Sequence, residues 1–395
     1  MPDDNRPVGP FRKFLTSFVL LFSAILAALY VYLAARLVSG GLARAALAVP
    51  FLLVWLVPAV YWSRDREHHS RFDDWLHAGS YVSMGWLNFA VVFALLRDAA
   101  QAAAGLRPEW SDAHAVLAAQ GGNSVLIASC IALGLGMLWA LRGPALRHVD
   151  VPVRGLDPRL HGLTIVQISD LHVGSIIRRR YVRHVAEKAL AAKPDLFVLT
   201  GDLVDGTVSR LGPEIAPLLA LPQQAPTFFC TGNHEYYSGV RDWLAHFAQA
   251  GVAVLENRHA LVEHRGARVL IGGVNDPMGR RLGGGPDADA AAARETPAAL
   301  RILLAHNPRL APAGARAGFH LQLSGHTHGG QFFPWTLVVQ RVHAPHITGV
   351  SREGQMTVYV SAGTGSWGPP VRFGTRTEIG LLRLVPESAT PARPG

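Results

Sequence analysis

Residues 324–330 read SGHTHGG, so His326 and His328 stand two positions apart on a loop with glycine on both sides. The predicted strand His320–Ser324 leads directly into this loop. Glycines remove side-chain cover and let the backbone approach a bound group closely. The stretch therefore predicts a strand whose carboxyl end presents two imidazoles to a common site.

Four other predicted strands end in the same way, each running into a polar residue that can bind a metal. The ends are Asp170-Leu171-His172, Gly201-Asp202, Gly232-Asn233-His234 and His306-Asn307. In α/β sheets, ligand sites lie beyond the carboxyl ends of the strands. Each piece alone is weak evidence, and a lone histidine more often satisfies a structural hydrogen bond. The combination predicts that the five strand ends converge on one site.

From about Val151 the sequence changes from long apolar runs to short strands that alternate with helical stretches. Predicted strands are Leu163–Ser169, Leu196–Thr200, Thr227–Thr231, Arg268–Val274, Arg301–Ala305, His320–Ser324, Thr357–Ser361 and Gly380–Leu384. Predicted helices are Arg179–Ala192, Pro213–Ala220 and Val240–Ala250. The early strands are almost entirely apolar, as in buried βαβ units. We therefore expect an α/β domain over residues 151–386, followed by a disordered tail at 387–395.

The order Asp-x-His, Gly-Asp, Gly-Asn-His, His and Gly-His-x-His resembles that of the calcineurin-like metallophosphoesterases over about residues 160–385. The extended forms are 169–172 (SDLH), 201–205 (GDLVD), 232–235 (GNHE) and 325–331 (GHTHGGQ). They are similar to a bacterial membrane-associated branch of YkuE and YaeI type. The resemblance implies a four-layer α/β/β/α sandwich, and it says nothing about residues 1–150.

The resemblance further implies a site for two divalent metal ions. One ion is held by Asp170, His172, Asp202 and His328, and the other by Asp202, Asn233, His306 and His326. Carboxylate, amide and imidazole donors without thiolate suit manganese, iron or zinc. Two such ions can share a hydroxide that attacks phosphorus in line, with Asp202 between them. His234 is expected to face the substrate, where it stabilises developing charge or protonates the leaving oxygen.

Five further residues are candidates for supporting roles. Asp205 and Glu235 could orient imidazoles or bound water, or they could be ordinary surface carboxylates. Arg178 and Arg179 could grip a phosphate or an anionic lipid head group, or they could form a solvated helix start. Arg372 is a further candidate for contact with substrate.

The N-terminal third has the composition of a membrane region. Hydrophobic residues make up 49% of the chain and charged residues only 16%. Four apolar runs are long enough, or nearly so, to cross a bilayer as helices; they span 14–35, 45–62, 75–96 and 123–141. We expect residues 1–150 to form an uncleaved membrane anchor, because the first run is too long for a signal peptide. A buried soluble helical bundle is the alternative.

Basic residues in the short flanks predict the orientation. One side carries Arg6, Arg12, Lys13, Arg64, Arg66, Arg71, Arg142, Arg147 and Arg154, and the other carries Arg36, Arg44, Arg97 and Arg107. This excess predicts a multi-pass protein of the inner membrane with its N-terminus in the cytoplasm. Four crossings would place the catalytic domain on the cytoplasmic side as well. The formal charge of +9 favours anionic partners such as phospholipid or phosphate.

These observations predict a membrane-anchored phosphoesterase that hydrolyses a phosphodiester or a pyrophosphate. A lipid-linked substrate is attractive, for example UDP-2,3-diacylglucosamine, which relatives in the resembled family hydrolyse. The alternatives are a phosphodiesterase of broad or small-molecule specificity, with the helices as anchor only, and a non-catalytic membrane receptor or scaffold. Nucleic acid is not an expected partner, because no recognised binding motif is present. The two cysteines, Cys130 and Cys230, make a disulfide framework improbable.

Overall fold

The computed structural model describes residues 10–63, 70–282 and 284–387. By their internal contacts the described residues divide into two compact units: 10–63 with 70–135, and 136–387. Of the predicted tail, only Glu387 is described, and its N–H donates to the carbonyl oxygen of Val153 at 3.1 Å. The other residues of that prediction lie outside the described part of the chain.

The N-terminal region is helical, as predicted. Its helices are α1 (Pro10–Leu37), α2 (Gly41–Ser63), α3 (Arg71–Gly105) and α4 (Ser111–Leu141). Among the described residues, three stretches are long and apolar enough to cross a membrane: Phe18–Leu37, Phe72–Gly105 and Pro108–Leu141. In α2 the apolar stretch found is shorter, Gly41–Leu56. Small and branched side chains from different helices, such as Leu33, Leu87 and Ala90, form a core in the first unit.

The start of α3 has a clear local cause. Ser70 Oγ accepts the N–H of Asp73 at 3.3 Å, and Asp73 Oδ2 accepts the N–H of Ser70 at 2.8 Å. This reciprocal pair is a capping box, which satisfies two N–H groups that the first helical turn leaves unbonded. The sequence Ser-x-x-Asp therefore fixes where the helix begins.

The second unit contains the predicted α/β domain. Its helices are α5 (Arg179–Ala191), α6 (Val208–Ile215), α7 (Asn233–Tyr237), α8 (Val240–Gln249), α9 (Ala288–Ala292), α10 (Ala311–Ala317) and α11 (Trp335–His343). Its strands are β1 (Ala145–Val153), β2 (Thr164–Ile168), β3 (Leu196–Thr200), β4 (Thr227–Cys230), β5 (Ala253–Val254), β6 (Arg258–His264), β7 (Ala267–Gly273), β8 (Leu300–Leu304), β9 (Leu321–Ser324), β10 (Gly349–Glu353), β11 (Met356–Val360) and β12 (Glu378–Pro386).

The strands form two six-stranded mixed sheets, in the orders β1-β12-β2-β3-β4-β5 and β10-β11-β9-β8-β7-β6. Apolar side chains of both sheets meet in one buried cluster, which includes Ile165, Val198 and Ile302. A second cluster packs α5, α6 and α8 on the outer face of the first sheet, and a third packs α9 and α10 on the second sheet. The result is the expected sandwich with helices outside two stacked sheets.

Topology brings the polar strand ends to one edge. Strands β2, β3 and β4 are parallel neighbours in the first sheet, and β7, β8 and β9 are parallel neighbours in the second. Their residues are almost all buried, so the first polar residue after each strand emerges at the common carboxyl edge. This is where α/β folds place their ligand sites.

The structure differs from the sequence prediction at the sheet edges and in one helix. Four strands were not predicted, β1, β5, β6 and β10, and they are the four edge strands of the two sheets. The α/β domain therefore begins before Val151, because Ala145–Val153 pairs in parallel with β12. The helix predicted at Pro213–Ala220 is instead the end of α6 followed by a 3₁₀ segment, Ala216–Gln223.

Candidate metal centre

The loops that follow the strands hold their polar residues in an unusual backbone conformation. Five of the predicted ligands have left-handed φ values: Asp170 54°, His172 52°, Asp202 53°, His326 72° and His328 50°. This conformation costs a non-glycine residue roughly 1–2 kcal/mol. Such strained backbone persists only where contacts with the surrounding structure hold it in place, and it is concentrated at functional sites.

Three side chains form one cluster, which we call the first half-site: Asp170, His172 and His328. The Nε2 atoms of His172 and His328 lie 3.1 Å apart. His328 Nε2 is 3.3 Å from Asp170 Oδ1, and His172 Nε2 is 4.0 Å from Asp202 Oδ2. All three side chains are buried, so their donor atoms converge in a place that bulk water reaches poorly.

Asp202, His306 and His326 form the second cluster, which with Asn233 is called the second half-site. His306 Nε2 lies 3.1 Å from Asp202 Oδ2 and 3.2 Å from His326 Nδ1. The other ring nitrogen of His306 lies 2.8 Å from the carbonyl oxygen of Thr200, to which it donates. That hydrogen bond fixes the tautomer and directs the Nε2 lone pair into the site.

The residues present fit divalent cations at both half-sites. Asn233 Oδ1 is buried and has no hydrogen-bond partner among the described residues, and such an orphaned acceptor is costly unless a cation or water satisfies it. The paired ring nitrogens of His172 and His328 need a proton or a cation between them. Imidazole, carboxylate and amide oxygen are ligands that first-row transition metals accept.

The electrostatics of the second half-site attract positive charge. Burial lowers the pKa of His306, but the carboxylate of Asp202 outweighs it and raises that pKa well above its ordinary value. The pKa of Asp202 falls well below its ordinary value despite burial, mainly because of His306 and His234. Burial and the charge on His306 lower the pKa of His326 to about 3. The pair of imidazoles therefore holds one proton where a cation would lie.

His234 lies beside the two half-sites and contacts both of the nearby carboxylates. Its Nδ1 is 2.7 Å from Asp205 Oδ1, and its Nε2 is 3.9 Å from Asp202 Oδ2. Burial lowers the pKa of His234, but Asp202 and Asp205 together raise it to about 9. The ring is thus a proton donor at neutral pH, as a group facing a leaving oxygen must be.

Asp205 holds two imidazoles at once. Its Oδ1 is 3.0 Å from His172 Nδ1 and 2.7 Å from His234 Nδ1. Burial opposes ionisation, yet the two histidines bring the pKa of Asp205 well below its usual range. The carboxylate therefore fixes the orientation of one candidate ligand and of the candidate acid, in keeping with the orienting role considered for it.

Glu235 is completely buried and binds backbone rather than imidazole. Its carboxylate accepts the N–H groups of Asp202 at 2.9 Å, Leu203 at 2.7 Å and Gly232 at 2.7 Å. Burial, together with the charge of Asp202, raises the pKa of Glu235 to about 7. It joins the loop after β3 to the loop after β4, so it sets the spacing between two ligand-bearing segments.

Two of the three arginines predicted to contact substrate, Arg178 and Arg179, contact residues of α6 instead. Arg178 Nη1 is 3.7 Å from Glu214 Oε1. Arg179 donates its backbone N–H to Glu214 at 2.6 Å, and its guanidinium donates to the carbonyl oxygen of Pro213. These contacts give the two residues a structural role at the start of α5, so the structure does not support a substrate contact for them.

Arg372 is buried and braces the first half-site from behind. Its guanidinium donates to the carbonyl oxygens of His328 and Ala362 at 2.8 Å and of Gly365 at 2.6 Å, and it lies 3.0 Å from His328 Nδ1. Burial lowers the pKa of Arg372 to about 10, so it stays charged at neutral pH. Burial and this charge lower the pKa of His328 well below its ordinary value. A direct substrate contact by Arg372 is not supported.

Sequence reasoning missed several neighbours of the site. Ser169 Oγ donates to Asp170 Oδ2 at 2.5 Å, and the ring of His343 lies 5.4 Å from that of His326. Trp367 lies 6.0 Å from His234, measured between ring centroids. Only Ser169, directly before the Asp-x-His motif, stood at a position that could have been suspected; the other two come from distant segments.

Gly232 and Gly325 must be glycines because a side chain at either position would collide with a carboxylate of the site. A Cβ atom on Gly232 would lie 2.2 Å from Asp202 Oδ1, and one on Gly325 would lie 2.1 Å from Asp170 Oδ2. Real Cβ atoms do not approach other atoms so closely. The glycines that precede Asn233 and His326 therefore leave room for the carboxylates of the neighbouring strand ends.

The chain is similar over most of its length to known metallophosphoesterases. Residues 163–330 match the family model described as calcineurin-like phosphoesterase. The chain is 35% identical over 327 residues to a transmembrane protein with metallophosphoesterase domain from Bos taurus, covering 78% of this chain and 72% of that protein. It is 32% identical over 261 residues to an uncharacterized metallophosphoesterase of Helicobacter pylori (strain ATCC 700392 / 26695), covering 64% and 69% of the two chains.

A third relative belongs to the bacterial branch named above. The chain is 29% identical over 230 residues to the uncharacterized metallophosphoesterase YkuE of Bacillus subtilis (strain 168), covering 56% of this chain and 79% of that protein. The similarity to the Bos taurus protein covers 78% of this chain, which is more than residues 136–395 contain. It therefore extends into the helical region, whereas the similarity to the Bacillus protein need not.

Proposed function

The chain belongs to the calcineurin-like metallophosphoesterases, and on that premise we propose that it is a dinuclear phosphoesterase that hydrolyses a phosphodiester or pyrophosphate at a membrane. The seven side chains of the two half-sites are the proposed metal ligands. The metals are proposed to be two divalent ions, manganese, iron or zinc.

One observation carries the dinuclear assignment. Asp202 Oδ2 lies 3.1 Å from His306 Nε2 in the second half-site and 4.0 Å from His172 Nε2 in the first. A single carboxylate thus faces imidazoles of both clusters, which is what a ligand shared between two ions requires. Two ions held there would activate water as a nucleophile and neutralise charge on the phosphoryl oxygens.

The chain's own residues supply the remaining parts of the reaction. His234, whose pKa stands at about 9, carries a proton that it can give to the leaving oxygen. Asp205 holds that ring through Nδ1, so Nε2 is the nitrogen left to face substrate. Glu235 and Arg372 hold the ligand loops at a fixed spacing, which limits reorganisation during the reaction.

The substrate is proposed to be lipid-linked. Three apolar helices long enough to span a bilayer precede the catalytic domain, and the net charge of +9 favours anionic head groups. We further propose four crossings, with the catalytic domain in the cytoplasm beside the inner membrane. The excess of basic residues in the flanks of the apolar runs supports this orientation.

The experiment assays the purified full-length protein, reconstituted with manganese, on a chromogenic phosphodiester and on UDP-2,3-diacylglucosamine in mixed micelles. The proposal predicts hydrolysis of both, with the lipid nucleotide preferred in kcat/KM. Hydrolysis of the chromogenic compound alone would favour a phosphodiesterase of broad specificity. Hydrolysis of neither, with metal bound, would contradict the proposed enzyme and favour a receptor or scaffold.

A further inference from the structure

Helix α11 exposes apolar side chains that a soluble domain would normally cover. Its sequence is WTLVVQRVH, and none of its residues, all of which are described, is buried. Trp335, Leu337, Val338 and Val342 are each about half exposed. An amphipathic helix in a folded domain usually packs its apolar face against the core. A contiguous apolar patch left open marks an interaction site.

The helix is held by contacts at both of its ends. At its start, a Cβ atom on Gly330 would lie 2.4 Å from the Cα of Thr336, so the two segments touch. At its last residue, His343 lies against the candidate ligand His326. Beyond it, His346 is 2.8 Å from Ser351 Oγ and 2.9 Å from Glu353 Oε2. The apolar side chains are therefore held in place beside the metal centre and point outward.

A second segment adds to this exposed surface from the other side of the site. Trp367 and Phe373 are about half exposed, and the ring of Trp367 lies 6.0 Å from that of His234. Gln331 ties this segment to the chain just before α11. Its Nε2 donates to the carbonyl oxygen of Trp367 at 3.0 Å, and its carbonyl oxygen accepts the N–H of Phe373 at 3.1 Å.

We name the exposed side chains of both segments the apolar rim: Trp335, Leu337, Val338, Val342, Trp367 and Phe373. The rim borders the second half-site and His234, since the last residue of α11 contacts His326 and the second segment contacts His234. It therefore lies beside the candidate metal centre instead of on a remote face.

The rim is continuous with the end of α4, the last of the apolar helices. Residues 136–395 form one compact unit, so the last residues of α4 belong with the catalytic domain. The N–H of Arg372 donates to the carbonyl oxygen of Gly136 at 3.1 Å. The guanidinium of Arg376 lies 5.6 Å from the ring of the exposed Trp139. Tryptophan and arginine together at the end of an apolar helix are typical of a membrane–water interface.

We propose that the apolar rim docks on the surface of the bilayer that α4 enters, with its aromatic side chains at the boundary between head groups and acyl chains. Exposed Arg341 and Arg376 stand beside the rim, where they would meet anionic head groups. Because Trp367 lies beside His234 and the last residue of α11 lies beside His326, docking would bring the metal centre close to the head-group layer. Membrane contact of this kind does not require that the substrate be a lipid.

The test places a fluorophore on the rim of the full-length protein in lipid nanodiscs. In a Cys130→Ser background, in which Cys230 stays buried, Val338→Cys is labelled with bimane. Leu261→Cys is the matched control: Leu261 is 46% exposed, Val338 is 47% exposed, and Leu261 lies on β6 at the opposite edge of the sheet from β10. Nitroxide on the upper acyl chain should quench the label at 338 at least about threefold more than that at 261, because interfacial side chains lie only about 5–10 Å deep.

A second variant separates docking from mere proximity. Leu337→Asp, with the label at 338, should reduce nitroxide quenching to the value at 261, because an exposed carboxylate does not enter the apolar boundary. Equal quenching at 338 and 261 would overturn the proposal. So would quenching that survives Leu337→Asp, or a label at 338 that is shielded from iodide but not quenched by lipid nitroxide, as a second copy of the chain would cause.

Discussion

The two half-sites of the metal centre use similar ligands but differ in what stands behind them. Behind the first half-site, Arg372 lies 3.0 Å from Nδ1 of His328. A guanidinium only donates, so this nitrogen accepts and a neutral His328 carries its proton on Nε2. Behind the second half-site, His306 donates its Nδ1 proton to the carbonyl oxygen of Thr200 at 2.8 Å. Its other ring nitrogen, Nε2, therefore faces the site.

These surroundings would make the two neighbouring ion sites unequal. A cation in the first half-site meets the charge of Arg372 and competes with the proton of His328. A cation in the second replaces a proton that Asp202 already attracts to His306. We therefore expect the second half-site to fill first and more tightly.

Asp202→Asn should remove the feature that both half-sites share. The amide cannot neutralise two cations, so loss of several kcal/mol of charge stabilisation should lower kcat/KM by about 10³-fold or more. Metal content, measured by mass spectrometry, should fall below one ion per chain. The matched control is Asp289→Asn, an exposed carboxylate with 78% side-chain exposure, which should keep both properties. Full hydrolysis by Asp202→Asn would show that the shared ligand is wrongly assigned.

His234→Asn should lower kcat by about 10²–10⁴-fold while both ions stay bound, since the role proposed for the side chain is proton transfer and not ligation. The pKa of His234 is raised to about 9. The protonated form therefore prevails below that value, and wild-type activity should fall as pH rises through it, or earlier when bound cations repel the proton. The pH–rate profile of the variant should lack this descending limb. A limb that persists would assign the acid to another group.

Asp205→Asn should weaken the first half-site selectively. The carboxylate lies 3.0 Å from Nδ1 of the ligand His172, and loss of such a partner typically costs about 10–100-fold in metal affinity or activity. A manganese titration should show the weaker step shifted and the tighter step almost unchanged. Equal weakening of both steps would contradict the separation of the half-sites.

The pH dependence of metal affinity should report on the second half-site. The pKa of His306 is raised well above its ordinary value by Asp202, so an ion must displace that proton. The affinity of the tighter step should rise with pH by up to about tenfold per unit, as expected for one released proton. Calorimetry in buffers of different ionisation enthalpy counts the proton. If metal binding at neutral pH released no proton, His306 would carry no extra proton in the metal-free protein at that pH.

Arg372→Lys should have the smallest effect. Lysine keeps the charge but cannot reach the three carbonyl oxygens that the guanidinium bridges. Loss of these hydrogen bonds should loosen His328 and weaken the first half-site by about 3- to 10-fold. The second half-site should not change, and a titration that shows it weakened as well would contradict the account.

The sequence was most informative where chemistry and burial coincide. Asp170, Asp202 and His326 each follow a strand that is buried along almost its whole length, so the strand end and the candidate ligand coincide. The two-sheet order places these ends on one edge, and the structure brings together six of the seven residues inferred from the resemblance, in two clusters. The seventh, Asn233, has a buried side-chain oxygen with no hydrogen-bond partner among the described residues.

The missed elements have a common physical cause. Edge strands such as β6 and β10 contain no fully buried residue, so they need no continuous apolar run. Pairing across long sequence distances is also invisible locally, as with β1 and β12. Arg372 was a candidate for contact with substrate, and only the packed structure shows that it bonds to the backbone of His328.

We propose that seven side chains from five strand ends hold two ions around Asp202. The most direct test is a manganese titration of the purified full-length protein followed by electron paramagnetic resonance. We expect two manganese ions per chain and an exchange-coupled spectrum once the second ion has bound. Saturation at one uncoupled ion per chain, or no bound manganese, would contradict it.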